Sequence, residues 1–332
     1  MFKRKSLFAR LWLKHTDKLK YKEYKWALAN QQLIKSTIAF DFGEHPNTIQ
    51  KIKAHALSNK SINVKHSGNA GDIIYALPSL KRINELTGLE INLYLKLDQP
   101  MELFGEMTHP LGSVMLNKKM AHMLLPLLQA QTYIHTCKIL KQEDIDIDLD
   151  LFREIGIPLD RGNIARWCGY ITGVTPELYK PWLYAEPDAA YANTIVLARS
   201  ERYHNYFVDH SFLSKYDNLI FIGVLSEYKK IKKHIPNIHW VQVDDFLQLA
   251  RIIAGCKFFI GNQSFPFSVA EGLKVPRILE TCYNVTNVVP EGKNAHEFYF
   301  QEHFESLVRE LNGDKNNSVA QHHYDHSKLS IL

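Results

Sequence analysis

The sequence has few cysteines, and their arrangement predicts neither disulfides nor a zinc site. Its 332 residues contain four cysteines, with no C-x-x-C pair and no histidine at zinc-finger spacing. Isolated cysteines of this kind are typical of a protein that keeps its thiols reduced. We therefore expect reduced, buried side chains at all four positions, Cys137, Cys168, Cys256 and Cys282.

A long apolar run is also missing. No stretch approaches the roughly 18 consecutive apolar residues that a membrane-spanning helix needs. The early apolar residues between Leu7 and Leu13 are interrupted by Arg10 and followed by Lys14, without the small-residue cleavage site of a secretory signal. No internal repeat with a period of about 20 to 50 residues indicates a solenoid or a propeller. We therefore expect a cytoplasmic protein.

Negative charge is scarce in the first 35 residues. They contain ten Lys or Arg but only Asp17 and Glu23, a net charge of +8, whereas the remainder holds 30 basic and 33 acidic side chains, or −3. The mildly acidic remainder argues against nucleic-acid binding by the main domains. Among the aromatic residues of the basic segment are Phe2, Phe8, Trp12 and Trp26.

Basic and aromatic residues in one segment predict contact with an anionic membrane surface through residues 1–35. The alternative is a solvated helix that packs on the C-terminal domain through its aromatic side.

Length and hydrophobic pattern predict an α/β protein with two domains, since single cores rarely grow beyond about 250 to 300 residues. Residues 1–60 have a helical, basic pattern. From residue 61, short apolar strands alternate with helical patterns, which is typical of parallel sheets covered by helices on both faces. The predicted strands are 61–66, 90–97, 144–151, 194–198, 218–224, 238–243, 257–260 and 276–281.

Two loops each connect a strand to a helix, at the edge where parallel sheets bind their ligands. The first runs from His66 to Asp72, with glycines for a tight turn and Asp72 at the start of a helix. Asp72 either caps that helix or projects into a cleft. The second runs from Gly261 to Pro266, where free N–H groups and the helix dipole can bind an anion and Ser264 adds a hydroxyl. Its alternative is an ordinary connection with a serine cap.

These loops resemble the two characteristic segments of one family. Gly71 to Leu80 resembles the opening Gly-Asp-x-x-x-x-x-Pro-x-Leu of the lipopolysaccharide heptosyltransferase family, which has the GT-B fold. Phe259 to Pro266, continuing through Ala270 to Pro276, resembles the donor-site segment of that family. The two segments lie about 190 residues apart, as in the family. The likeness covers roughly residues 61–312.

The resemblance implies two Rossmann-like domains that face each other across a cleft. On this basis residues 1–60 are a basic helical extension, 61–185 the acceptor domain and 186–312 the nucleotide-sugar-binding domain, with a linker within 173–187. Residues 313–332 form a polar tail, and its histidines near His322 fit a disordered end better than a metal site.

The implied reaction is an inverting transfer of a sugar from a nucleotide-diphosphate donor, with no metal and no cofactor. Asp72 would be the general base that takes a proton from the acceptor hydroxyl. Asn69, Gly71, Arg153 and Arg166 would lie on the acceptor side; surface salt bridges are the alternative for the two arginines. The acceptor would be a bacterial surface glycan resembling lipopolysaccharide, at the inner face of a membrane.

The donor side of the implied site comes from the C-terminal half. Ser264 and its neighbouring backbone would hold the diphosphate, where negative charge develops. Arg199 and Arg202 would neutralise the phosphates. Glu271 would reach a ribose hydroxyl or face solvent. The full donor set is Arg199, Arg202, Asn262, Gln263, Ser264 and Glu271.

The donor loop departs from the family pattern. Where the family has Asp-Ser/Thr-Gly-Pro-x-His, this sequence has Gln263, Ser264, Phe265, Pro266, Phe267 and Ser268. The acidic residue, the glycine and the histidine are absent. A non-catalytic nucleotide-binding or scaffold protein of the same fold is therefore an alternative, as is a nucleotide-sugar epimerase.

Four aspartates alternate along residues 144–150 and include the D-x-D pattern of metal-dependent glycosyltransferases. We interpret them instead as the solvated face of a half-buried strand.

Overall fold

The structure, a computed structural model, describes residues 4–38, 49–101, 114–154, 157 and 159–314, except for the side chains of 32–38 and 154. Beyond Asp314, the predicted tail with its histidines lies outside the described residues.

Helices and strands alternate through most of the described chain. The helices are α1 (Leu7–Thr16), α2 (Lys18–Ile38), α3 (Ile49–Ala56), α4 (Ala70–Thr87), α5 (Lys118–Gln129), α6 (Leu151–Glu154), α7 (Ile164–Thr172), α8 (Leu225–His234), α9 (Phe246–Gly255), α10 (Phe265–Leu273) and α11 (Gln301–Asn312). The strands are β1 (Ser61–His66), β2 (Glu90–Leu95), β3 (Ile134–Ile139), β4 (Ile147–Asp148), β5 (Ile195–Ala198), β6 (Leu219–Ile222), β7 (His239–Val241), β8 (Phe258–Asn262), β9 (Arg277–Glu280) and β10 (Ala295–Phe298). Helical turns of the 3₁₀ type cover Ala189–Tyr191 and Ser211–Lys215.

The strands form two parallel sheets, which confirms the predicted α/β class. The first has the order β3-β2-β1-β4 and the second β10-β9-β8-β5-β6-β7. Both are doubly wound, and the strand order reverses between β1 and β4 and again between β5 and β8. Ligands of such sheets bind at these reversal points, beyond the carboxyl ends of the strands. The two loops singled out in the sequence, 66–72 and 261–266, begin at β1 and β8.

One hydrophobic core joins the two sheets. Helix α4 packs against α10, and α5 against α9. Val196 and Phe259 point into this shared core, whereas their neighbours on the same strands face a second core under α8 and α11. The alternation follows from the period of two along a strand. The two halves are therefore packed together through their helices.

The predicted linker is a packed strap between the two sheets. Trp182 N and Leu183 N both donate to Gly272 O, at 3.0 and 3.1 Å, and both side chains are buried. A Cβ on Gly272 would lie 2.8 Å from Leu183 Cδ1. Glycine is therefore required here for the strap to reach α10.

The prediction of a long solvated strand over residues 144–151 is wrong. Only Ile147–Asp148 is a strand, and the chain turns immediately afterwards. Asp144 is exposed, but Asp150 is buried, because the turn directs it back towards β1. A strict alternation of apolar and acidic residues is equally compatible with a short strand followed by a turn.

A buried ion cluster lies where α10 leads into β9. Glu271 accepts hydrogen bonds from the side chains of Lys274 and Arg277 and, at 3.1 Å, from Glu291 N. Arg277 is fully buried and also donates to the backbone oxygens of Val275 and Glu291. Burial lowers the pKa of Lys274 to about 8. The expectation that Glu271 faces solvent is wrong, since its carboxylate is buried in an ion pair with Arg277.

The basic N-terminal segment forms a helical hairpin of α1 and α2. Leu13 and Tyr24 are its buried residues, and Lys5 N donates to the Tyr24 hydroxyl at 3.2 Å. The predicted helical character of this segment is confirmed for its described residues. In the parts of the chain that the structure describes, no helix has both the length and the apolar character needed to cross a membrane.

Breaking the buried ion cluster should destabilise the fold. We expect Glu271→Gln to lower the free energy of unfolding by about 3 kcal/mol, because it leaves the buried Arg277 charge without a carboxylate. Chemical denaturation measures the change. The matched control is Glu305→Gln, which removes an exposed pair with Arg309 and should change stability by less than about 0.5 kcal/mol. Equal small changes in the two variants would contradict this account of the cluster.

Candidate active site at the facing sheet edges

Asp72 accepts two hydrogen bonds at the start of α4. Its Oδ2 accepts a hydrogen bond from Asn69 N at 3.1 Å, which caps the helix, and a second from Arg153 Nη2 at 2.8 Å. The side chain remains 19% exposed. Among the described residues, no hydrogen bond reaches its Oδ1. Asp72 thus caps the helix with one oxygen and leaves the other accessible.

Arg153 is held beside Asp72 by residues after β4. Its Nη1 donates to Asp150 Oδ1 at 3.2 Å, and its guanidinium lies 4.2 Å from the centre of the Phe152 ring. Asp150 Oδ1 also accepts from Ser67 N at 2.8 Å, which ties this turn to the β1 loop. Burial opposes ionisation of Asp150, but His66, Ser67 and Arg153 together outweigh it, so its pKa is lowered. Asp72, Asp150 and Arg153 thus form one hydrogen-bonded network at the reversal point of the first sheet.

His66 is a fully buried, neutral neighbour of this network. Its Nδ1 accepts a hydrogen bond from Gly68 N at 2.9 Å, which places the ring proton on Nε2. Nε2 has no hydrogen-bond partner among the described residues. Burial, followed by the positive charge of Arg153, lowers the pKa of His66 to about 4.

Glycine is the only residue type that fits at position 68, where the side chains of His66, Asp72 and Arg153 converge. A Cβ there would lie 2.1 Å from Arg153 Nη2, 2.7 Å from His66 Cε1 and 2.9 Å from Asp72 Oδ2. A contact below 3.0 Å to three converging groups leaves no space for a side chain. The glycine in the first loop is therefore needed for close approach of the charged groups.

The second loop has the helix start that the sequence predicted. Ser264 immediately precedes α10, its hydroxyl donates to Asn262 O at 3.2 Å, and Pro266 lies in the first turn. The first N–H groups of a helix lack intrahelical partners and point outward. Together with the helix dipole they give this end of α10 a positive potential.

Asn262 and Gln263 hold neighbouring loops in place. Asn262 is fully buried and makes four hydrogen bonds with the segment from Ser200 to Arg202 after β5. Gln263 donates to Val285 O and Asn287 Oδ1, both at 2.7 Å, and accepts from Cys282 N. Both amides are occupied by the protein itself, and each holds a neighbouring loop in position.

The two loops meet across the interface between the sheets. A Cβ on Gly71 would lie 3.8 Å from both Phe265 Cα and Ser268 Oγ, so the first turns of α4 and α10 are in contact. Tyr203, in the left-handed region with φ 58°, lies within the electrostatic reach of Asp72. Burial raises the pKa of Tyr203, Arg202 opposes this, and Asp72 adds to it. Residues of both halves therefore surround the carboxylate.

Arg199 is bound to a buried carboxylate. It pairs with Glu280 through two bonds, Nε to Oε2 at 2.6 Å and Nη2 to Oε1 at 2.8 Å. Glu280 also accepts from Asn205 N at 2.7 Å, and His210 Nε2 lies 3.5 Å from its Oε2. Burial opposes ionisation, but His210 and Arg199 lower the pKa of Glu280 to about 2.

Arg202 lacks such a partner. Its guanidinium lies 5.3 Å from the centre of the Tyr203 ring, and within the described ranges it forms no ion pair. Of the two predicted phosphate-binding arginines, Arg202 is therefore the one with an unneutralised charge.

The structure brings together only part of the predicted set. Asn69, Gly71, Asp72 and Arg153 converge at the start of α4. Arg166 instead forms a surface ion pair with Glu291 at 2.7 Å, the alternative considered for it. Glu271 belongs to the buried ion cluster, so its carboxylate is already bonded.

Sequence reasoning missed four contributors, His66, Asp150, Tyr203 and Glu280. The order β3-β2-β1-β4 would have indicated Asp150, because it places the end of β4 beside Ser67. No comparable sequence signal identifies Tyr203.

No protein-family model and no curated protein sequence matches the chain. Among solved structures, the E. coli heptosyltransferase WaaC with ADP-2-deoxy-2-fluoro heptose matches with a TM-score of 0.52 at 9% identity, over 75% of this chain and 99% of that one. The same protein with ADP matches with a TM-score of 0.52 at 9% identity, over 76% and 99%. A glycosyl transferase family 9 protein from Veillonella parvula covers 78% and 90% at 12% identity, with a TM-score of 0.47. The WaaC likeness confirms the predicted GT-B fold.

The buried neutral His66 predicts a pH-dependent stability. Its pKa is lowered on folding, so the unfolded chain binds the proton more readily, and stability is lost as pH falls below about 6.5 towards 4. Between pH 7.5 and 5 we expect the wild type to lose about 2 kcal/mol more than His66→Asn, in which the amide oxygen can still accept from Gly68 N. Denaturation at the two pH values measures this difference. Parallel losses in both proteins would show that His66 does not titrate in this way.

Proposed function

We propose that the protein is a glycosyltransferase that transfers a sugar from a nucleotide-diphosphate donor to a bacterial surface glycan resembling lipopolysaccharide. The observation that carries the proposal is Asp72. Its carboxylate lies at the reversal point of the first sheet, is fixed by Asn69 and Arg153, and has one oxygen that no described residue contacts through a hydrogen bond. It also lies next to the start of α10, where the second sheet would bind an anion.

The proposed reaction inverts the anomeric centre. Asp72 Oδ1 takes the proton of the acceptor hydroxyl while that oxygen attacks the anomeric carbon. The bond from this carbon to the diphosphate breaks, and the nucleoside diphosphate leaves with the electron pair. Arg153 and Asp150 keep the Asp72 carboxylate in position through the attack. Asp72 then releases its proton to solvent.

The leaving diphosphate would bind at the first turn of α10. Backbone N–H groups, the helix dipole and the Ser264 hydroxyl stabilise the developing negative charge. Arg202, which forms no ion pair with the described residues, supplies a positive charge nearby. Arg199 would contribute by orienting the segment after β5 through Glu280, and Asn262 would fix the same segment from the other side. We assign no ribose contact to Glu271.

We propose that this reaction needs no metal. The carboxylates that resemble a D-x-D motif already have partners. Asp148 bonds to Lys65, and Asp150 bonds to Ser67 N and Arg153. They hold the first loop in place, and the positive groups around α10 would stabilise the leaving group.

The acceptor class proposed here is attached to lipid. We therefore infer that the protein meets its acceptor at the inner face of a membrane.

A non-catalytic protein of the same fold is the second candidate. The specific observation is the donor loop, where Gln263, Phe265 and Ser268 replace the acidic residue, glycine and histidine of the family pattern, and where Gln263 is bonded to the protein. Donor binding without release of nucleoside diphosphate would favour this candidate.

Loss of the general base should abolish transfer. We expect Asp72→Asn to lower the rate about 10²- to 10⁴-fold with donor affinity nearly unchanged, because the amide keeps the shape but cannot accept the proton. The assay follows nucleoside diphosphate release from a panel of nucleotide-diphosphate sugars, ADP-heptose first, with truncated lipopolysaccharide as acceptor. Asp245→Asn is the matched control, since Asp245 caps α9 by accepting from Gln248 N at 2.8 Å. Full activity of Asp72→Asn, or an equal loss in the control, would remove Asp72 from the chemistry.

Loss of the Ser264 hydroxyl should weaken the binding of phosphate-containing ligands only. We expect Ser264→Ala to reduce binding of ADP by roughly 1 to 3 kcal/mol and to leave binding of adenosine unchanged. Calorimetric titration with both ligands measures the difference. Ser6→Ala removes a serine cap from α1 and serves as the control. If adenosine and ADP weaken equally, Ser264 does not contact phosphate.

A further inference from the structure

The N-terminal hairpin exposes large apolar side chains that its own packing does not need. On α1, Phe8 is 83% exposed and Trp12 67%, and on α2, Trp26 is 70% exposed. Together with their leucine neighbours they account for six of the exposed large apolar residues of the chain: Leu7, Phe8, Leu11, Trp12, Leu19 and Trp26. Such a concentration in one short segment indicates a surface that binds something apolar.

The exposed residues occupy one face of each helix. At about 100° per residue, the α1 set from Leu7 to Trp12 spans an arc of about 140°, and the buried Leu13 lies opposite its centre. On α2, Leu19 and Trp26 are seven residues apart and share a face, while the buried Tyr24 lies about 140° to 160° away. Each helix therefore packs inward through one face and presents an apolar face outward.

The same hairpin carries an excess of positive charge. Its exposed basic residues are Arg4, Lys5, Lys14, Lys18, Lys20, Lys22 and Lys25. Only Asp17 and Glu23 oppose them, and Asp17 is already paired with Lys20 at 3.3 Å. The rest of the chain has a net charge of −3, so the excess positive charge of the protein lies in this segment.

We propose that the α1–α2 hairpin binds an anionic phospholipid bilayer. Aromatic and leucine side chains enter the boundary between headgroups and acyl chains, and the lysines contact the lipid phosphates. Phosphates of a nucleic acid would satisfy the lysines but would leave the apolar faces of both helices exposed to water. This inference goes beyond the proposed reaction and does not depend on it, because it is drawn from the hairpin alone.

Vesicle co-sedimentation of the full chain tests the proposal. We expect at least about tenfold stronger binding to phosphatidylcholine vesicles that contain phosphatidylglycerol than to phosphatidylcholine alone, and loss of this preference at high salt. Trp12 and Trp26 fluorescence should shift to shorter wavelength on binding, as the indole rings leave water. No binding to either vesicle, or equal binding to both, overturns the proposal.

Two variants separate the apolar contact from the charge. Phe8→Ser with Trp12→Ser should lower binding to the anionic vesicles about tenfold or more without changing thermal stability, since both side chains are exposed. Tyr206→Ser with Phe300→Ser is the matched control, because these two aromatics are 81% and 76% exposed on the second half of the chain, and its binding should equal that of the wild type. Lys14→Gln with Lys18→Gln and Lys22→Gln should weaken binding and reduce its salt dependence.

Some results would assign the hairpin to another partner. If the Phe8→Ser, Trp12→Ser protein binds vesicles as the wild type does, the apolar face does not enter the bilayer and the proposal fails. If the wild type does not bind vesicles but sediments as a dimer, and the two substitutions make it a monomer, the apolar face joins two copies of the chain. Because vesicle binding is read without substrate, its failure would leave the proposed reaction untouched.

Discussion

The contact between α4 and α10 is the constraint on which the rest of the structure depends. Gly71 lies against Phe265 and Ser268, so the first turn of α4 is in contact with the first turn of α10. Below this contact, both helices contribute to one shared core. The reversal points of two separate sheets are thereby placed side by side. A carboxylate at the start of α4 and the N-terminus of α10 are then neighbours, although they come from different halves of the chain.

Close packing at this junction also decides where charges can lie. Each charged group drawn in from water needs a partner, because the interior does not solvate it. The molecule meets this demand with arginine opposite carboxylate in three places, at Asp72, Glu271 and Glu280. The first pair is partly exposed and leaves an oxygen accessible. The other two are buried and hold α10, β9 and the segment after β5 in fixed positions. Ion pairs of similar composition thus differ in role through their access to solvent.

Much of the fold could be predicted from the sequence, because short-range sequence patterns determine its helices, strands and turns. Alternating strands and helices, the glycine turn before Asp72 and the strand that ends at Gly261 and Asn262 were all readable from short windows. The interaction partners of the site residues could not be predicted in this way. Glu280 lies 81 residues from Arg199, and nothing in either segment signals that β8 brings β9 and β5 together. The burial of Asp150 was mispredicted for a related reason. Its alternating pattern fits the solvated face of a strand, and only the pairing of β4 with β1 shows that the chain turns inward.

Asn262 saturates its side chain on the segment after β5. An amide offers two donors and an oxygen with two lone pairs, and all four capacities are met by the Ser200–Arg202 region. That region is consequently ordered before any ligand arrives, and association does not have to pay for its loss of conformational entropy.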